Sequence, residues 1–227
     1  MTDQQDVSLT VALAEYEHLR EARRANDEMS TARFNFFLVV ATGATAVAGG
    51  LLGGAEAGAA RTGAVAGLGG LVLLLGLTVF IRQVEFVNRS RLYGIALDSM
   101  RTYLARRASD VTPYLLMPTL DDPGADRQRP PGGRWLRDAI GLAGTVGLVN
   151  SVLIGAGAGW ATHGTGSARW LTAAVGGLVL VVSATAHVWY VSRRTAWAAR
   201  RIRAAVRQRH AVPTSTAAMV STSDPAG

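Results

Sequence analysis

Four stretches of this chain carry no Asp, Glu, Lys or Arg over 19 to 23 residues each: 34–52, 63–81, 139–161 and 170–192. At ~1.5 Å of rise per residue, a helix of that length crosses a hydrocarbon layer ~30 Å thick. The helices of a soluble bundle would need polar faces. These runs have almost none, so the expected fold is an all-α membrane protein with four transmembrane helices. Short connections within each pair of runs and a long polar segment between the pairs arrange the spans as two hairpins with cytoplasmic helical extensions. The expected divisions are a leader helix over 1–33, a first transmembrane hairpin over 34–81, an amphipathic helix and Pro-rich linker over 82–137, a second hairpin over 138–192, and a basic helix with a polar tail over 193–227.

The distribution of positive charge orients the spans. All 23 basic residues are Arg, and the net charge is +7. Four Arg lie in the leader, ten in the middle segment and seven in the tail, against one in each hairpin loop, Arg61 and Arg169. The positive-inside rule then places the leader, middle and tail in the cytoplasm and both loops outside, as in a multi-pass protein of a bacterial inner membrane. Aromatic residues bracket the spans as interfacial residues do: Phe34, Phe36 and Phe37 at the inner end of the first, Trp135 and Trp160 around the third, Trp170 and Trp189 around the fourth.

Local patterns extend the spans into the cytoplasm. In the leader, Leu9, Leu13 and Tyr16 share a face with Ala12 and Leu19 beside it, and Ser8 or Thr10 caps its start. Oppositely charged neighbours follow, as in Glu17–Arg20 and Arg23–Asp27, each contributing about 0.2–0.5 kcal/mol. No Gly or Pro separates this helix from the first span, so one continuous helix is expected. After the second span, Phe86, Tyr93, Leu97, Met100 and Leu104 mark one helical face, whose natural partner is the leader, antiparallel to it. Five prolines between Pro113 and Pro131 then end the helix; Asp121, Asp122 and Asp126 among them read as a solvated acidic turn rather than a divalent-cation loop.

The spans are dense in small residues. Gly49 with Gly53 and Gly50 with Gly54 give two overlapping GxxxG spacings, and Gly144, Gly147, Gly155 and Gly159 line the third span. Such positions let helices approach closely in lipid, either within the chain or at an oligomer seam or pore lining. Asn150, near the middle of the third span, wants either an interhelical hydrogen bond or a water path. Thr42, Thr45 and Thr78 are the other candidate polar liners. His187 lies close to the inner interface, where it is either simply hydrated or sensitive to pH. Beyond it, Arg193, Arg194, Arg200, Arg201, Arg203 and Arg207 face lipid, with anionic headgroups as first partner at about 1 kcal/mol per basic residue near the surface. The acidic leader is a second partner; nucleic acid is not expected.

Catalysis needs converging acid, base or nucleophile groups. The spans hold no carboxylate, and His18, His163, His187 and His210 are scattered over different segments without metal-ligand spacing. There is no cysteine. No catalytic, cofactor-binding or metal-binding residues are assigned, and the chain is not expected to be an enzyme or to carry a cofactor. Ion-coupled transport is disfavoured because the spans hold no Asp, Glu, Lys or Arg.

Residues 10–108 resemble the SLATT type of bacterial two-span membrane module. The resemblance lies in a cytoplasmic helix ending in the step Arg33-Phe34-Asn35, a short two-span hairpin and a long helix after it. It implies a pore-forming effector of a bacterial conflict system, triggered by an associated sensor or a nucleotide signal. The chain departs from the module in adding a second hairpin. The expected function is thus an oligomeric channel or pore-type effector, a homo-oligomer in the bilayer. The alternative is a non-enzymatic membrane scaffold or accessory subunit that recruits a cytoplasmic protein partner through its helix over 82–107.

Overall fold

The computed structural model describes residues 2–53, 58–108, 110, 117, 119 and 141–211. Helix accounts for 93% of them and none is in a strand, as an all-α chain requires. The four helices are α1 (Thr2–Leu52), α2 (Ala59–Arg107), α3 (Leu142–Gly164) and α4 (Arg169–Ala211). Each is long and apolar enough to cross a membrane. α1 and α2 run unbroken from charged segments into apolar ones, because no Gly or Pro stands where charge gives way to hydrocarbon. The expected features at Gly54, the Pro-rich linker with Asp121, Asp122 and Asp126, Trp135, and the tail from Pro213 lie outside the described residues.

The helices pack as two antiparallel pairs, α1 with α2 and α3 with α4, and α2 joins the pairs by packing on α3 and α4. Antiparallel contact between α2 and α3 sets Gly76 against Asn150 and Phe80 against Gly147. The short connections α1–α2 and α3–α4 therefore lie at the same end of the bundle. The core draws on all four helices, with Phe37 of α1, Val72, Val79, Phe80 and Val84 of α2, Ala143 and Val146 of α3, and Val191 of α4.

The charged ends of α1 and α2, beyond their apolar stretches, pack on each other through polar residues. Ser30 Oγ donates to Gln83 Oε1 at 2.6 Å while Gln83 Nε2 donates to the Ser30 carbonyl at 2.7 Å. One turn further out, Asn26 Nδ2 donates to the Phe86 carbonyl at 3.2 Å. Asn26, Ser30 and Gln83 are all buried, so each hydrogen bond replaces water that the seam excludes. On α2 the expected apolar face is the packed one, with Phe86 and Leu97 buried and Tyr93, Met100 and Leu104 half-buried. On α1 the expected face is packed in part: Leu9 and Leu13 are 37% and 48% exposed, Tyr16 and Leu19 are half-buried, and Ala12, expected beside that face, is buried. The seam follows Ala12, Asn26, Ser30 and Phe37, small or amide side chains that admit close approach, and Leu9 and Leu13 fall to either side of it. The outer charges form exposed pairs along single helices, Arg24–Glu28 at 2.8 Å and Arg82–Glu85 at 2.9 Å.

Candidate functional site

The polar groups of the apolar half gather at one level, where α1, α2 and α3 meet. Asn150 is fully buried, and neither its Oδ1 nor its Nδ2 has a hydrogen-bond partner. Its amide lies against the backbone of Gly76: a Cβ built on Gly76 collides with Asn150 Oδ1, lies 2.9 Å from its Cγ and meets Phe37 Cε2 at 3.0 Å. Glycine is required here by space, since only the absence of a side chain admits the amide. Of the two expected fates of Asn150, the interhelical hydrogen bond is not made.

The next residue of α3, Ser151, is fully buried and bridges to α4. Its hydroxyl donates to the Gly147 carbonyl at 2.7 Å and lies 3.2 Å from His187 Nδ1. The same Nδ1 lies 2.8 Å from the Ser183 carbonyl. A carbonyl only accepts, so Nδ1 carries the proton and donates. The pair therefore cannot work as nucleophile and base: the Ser151 proton is given to a carbonyl, and the nitrogen facing Ser151 is already protonated. Phe80 stands edge-on to the His187 ring at 4.7 Å between centroids, and the Tyr190 ring, one turn on along α4, lies 5.9 Å from Phe80. The arrangement ties α2, α3 and α4 together.

The other expected liners are elsewhere. Thr42, Thr45 and Thr78 are exposed, and the hydroxyls of Thr45 and Thr78 are spent on the carbonyls of Ala41 and Leu74 in their own helices. The chain by itself brings none of them to Asn150, so the four residues share no path within one molecule.

The glycines divide in two. On α3, Gly155 meets the Gly176 carbonyl and Leu180 Cβ of α4, both at 2.8 Å from a built Cβ, and Gly159 faces the Thr172 carbonyl at 3.4 Å. Gly147 sits under His187 and Phe80, and Gly144 is buried. Gly147, Gly155 and Gly159, with Ser151, form a ridge at intervals of four residues (147, 151, 155, 159) that sequence patterning shows only when Ser is counted with Gly. On α1, Gly49 and Gly50 have nothing within 4 Å of a built Cβ, and Gly53 meets only the Gly49 carbonyl of its own helix. Gly76 and Gly176, the two glycines most closely approached from a neighbouring helix besides Gly155, have no counterpart in a simple GxxxG search because their complements lie on other helices.

In the C-terminal half of α4, Arg193, Arg194 and Arg201 lie over the rings of Trp189, Tyr190 and Trp197 at 5.0, 5.7 and 3.8 Å. Each is an i,i+4 pair, so the rings hold the guanidinium groups against the helix while leaving them exposed. Arg200 is exposed as well; the side chains of Arg203 and Arg207 lie outside the described residues. Among the described residues no group of three His, Cys, Asp or Glu side chains converges on a metal position. Compared with family models, curated proteins and solved structures, the chain matches none.

Proposed function

We propose that the chain is a multi-pass protein of a bacterial inner membrane, four spans in two hairpins with both termini cytoplasmic, and that it acts as an oligomeric channel or pore-type effector. Membrane insertion is supported by exposure. In the most apolar window of each helix only 6% of α1 and none of α4 is buried by the rest of the chain. Val39, Leu71, Leu74, Leu178 and Val182 are each 60% or more exposed, a surface that water would not tolerate at this density. Orientation is supported by the Arg asymmetry, now joined to the finding that both short connections lie at one end of the bundle.

The observation that carries assembly is the uncovered small-residue surface of the first pair. Gly43, Gly49 and Gly50 on α1 and Gly63 and Gly67 on α2 have nothing within 4 Å of a built Cβ. Lipid gives no hydrophobic reason for helices to associate; close backbone approach at small residues does. In this reading a conducting path lies between copies, with Thr42 and Thr78 on exposed faces, and Asn150 is sealed inside each subunit instead of lining the path. The basic stretch of α4 grips anionic headgroups on the cytoplasmic face.

The test is ion flux from sealed liposomes holding the purified protein, with the oligomeric mass read in the same detergent. Flux from a defined oligomer, abolished by Gly49→Leu together with Gly50→Leu, is the expected result. A silent monomer or dimer contradicts the channel and favours the second reading, a non-enzymatic scaffold. That reading has its own support in the exposed Val7 and Val11 of the leader, 59% and 63% exposed, which offer an apolar strip to a cytoplasmic partner.

A further inference from the structure

Between α1, α2 and α3 runs an apolar cleft of about 910 Å³, near the top of the ~300–1,000 Å³ range of small-ligand pockets. α1 and α3 barely touch, so the cleft opens sideways between them with α2 as its back wall. Its lining is Ala, Gly, Val, Leu and Ile, with Thr62 and Trp160 towards its mouth and Thr45, whose hydroxyl is satisfied by its own helix. Resting on the membrane reading above, we infer that this cleft holds one fatty acyl chain of a phospholipid from the outer leaflet, with the phosphate at Arg61.

Length selects this occupant. On α2 the lining runs from Thr62 to Leu73, and on α3 from Leu153 to Gly164, each a rise of about 16 Å. That is about half of a ~30 Å hydrocarbon layer, the depth of one leaflet. The cleft is blind at its inner end. One turn below Ala41, Leu73 and Leu153, the side chains of Phe37 and Asn150 close on Gly76. A helix from a second copy would span the whole layer and would be stopped at that floor, whereas an acyl chain ends there.

The mouth fits the other end of the same molecule. Arg61 stands beside Thr62 in the first turn of α2, is exposed, and makes no ion pair among the described residues. The α2 N-terminus around it has Gly58 as its cap residue and no side-chain cap, and although the N–H groups of Arg61 and Thr62 go to the Gly58 carbonyl, the positive end of the helix dipole still faces this mouth. Trp160, 37% exposed, lines the cleft near the same level, where an indole meets a headgroup region.

The experiment is native mass spectrometry of the full chain extracted in mild detergent from vesicles of phosphatidylethanolamine and phosphatidylglycerol. The wild-type protein is expected to carry the mass increment of a single phospholipid. Gly69→Leu with Gly157→Leu fills the cleft at two lining positions where a built Cβ meets nothing within 4 Å, and is expected to lose that increment while keeping helical circular dichroism. Gly67→Leu, equally open but outside the lining, is expected to retain it. Arg61→Gln keeps the cleft and is expected to shed the lipid at lower collision energy; it carries the test alone if the filled variant loses helicity. A wild-type protein without bound lipid, a filled variant that retains it, or a dimer that the filling dissolves each overturns the inference, the last by naming a second copy as occupant. Failure of the membrane reading looks different: the chain would then leave cell membranes on alkaline washing.

Discussion

At the scale of single residues, the account depends on which polar groups are satisfied. Asn150 is buried without a partner, and an unpaired buried amide costs about 1–3 kcal/mol. Asn150→Ala is therefore expected to be close to neutral in denaturant unfolding, the lost packing offsetting the relieved desolvation. Gly76→Ala is expected to destabilise by about 1–3 kcal/mol, because its methyl meets the amide and Phe37. The double variant is expected to recover most of that loss, since each change makes room for the other. Additive losses in the four-member cycle would show that the two residues do not touch. Ser30 and Gln83 give the opposite case. Their reciprocal pair is fully made, so Gln83→Ala is expected to cost about 1–3 kcal/mol by leaving Ser30 unpaired in the seam. A Ser30→Ala, Gln83→Ala cycle without coupling would contradict the geometry. Asn150 was legible in the sequence as a polar residue at depth, but the identity of its neighbour was not, because Gly76 is 74 positions away and a glycine shows no preference for any partner. Ser30 and Gln83 were invisible for a related reason: hydropathy scores both as surface residues, and only their meeting across 53 positions makes them core.

At the scale of elements, the long helices were plainly written. Unbroken helix from the leader into the first span follows from the absence of Gly and Pro there, and the face of α2 through Phe86 and Leu97 follows from its spacing. The leader face was only partly read because its seam is built from Ala12, Asn26 and Ser30 rather than from leucines. Small residues allow the backbones to come close enough for side-chain-to-backbone hydrogen bonds, and that closeness, not apolar area, chooses the face. The glycines repeat the lesson. GxxxG spacing on α1 and on α3 looks alike in sequence, but only the α3 set is pressed against a neighbour within the chain. Gly155→Ala and Gly176→Ala are each expected to lower the stability of the α3–α4 pair by about 1–3 kcal/mol, since the added methyl meets backbone that cannot rotate away. Gly157→Ala, two residues from Gly155 and open on its outer side, is expected to leave the midpoint unchanged within about 0.5 kcal/mol. Equal effects at 155 and 157 would mean that α3 presents a different face to α4.

At the scale of the whole molecule, two independent asymmetries agree. Arg residues crowd one set of segments, and the structure places the two Arg-poor connections at the same end of the bundle. Neither observation contains the other: the first is a count along the chain, the second follows from α2 packing antiparallel to α3. Exposed ion pairs such as Arg24–Glu28 add little to holding the shape, being solvated on both sides. The bundle is held instead by close contact at the Phe37–Gly76–Asn150 junction and along the α3–α4 ridge, and its outer surface is left apolar. The central claim is that four spans cross the membrane with both ends inside, and the chain supplies its own background for testing it, since it has no cysteine. Single cysteines at Gly58, Ser167, Ser8 and Ala108 can be probed in intact cells with a membrane-impermeant maleimide. The account predicts labelling at Gly58→Cys and Ser167→Cys in intact cells, and at Ser8→Cys and Ala108→Cys only after permeabilisation. The reverse pattern would overturn the orientation, and equal labelling of Gly58→Cys and Ala108→Cys in intact cells would show that α2 does not cross at all.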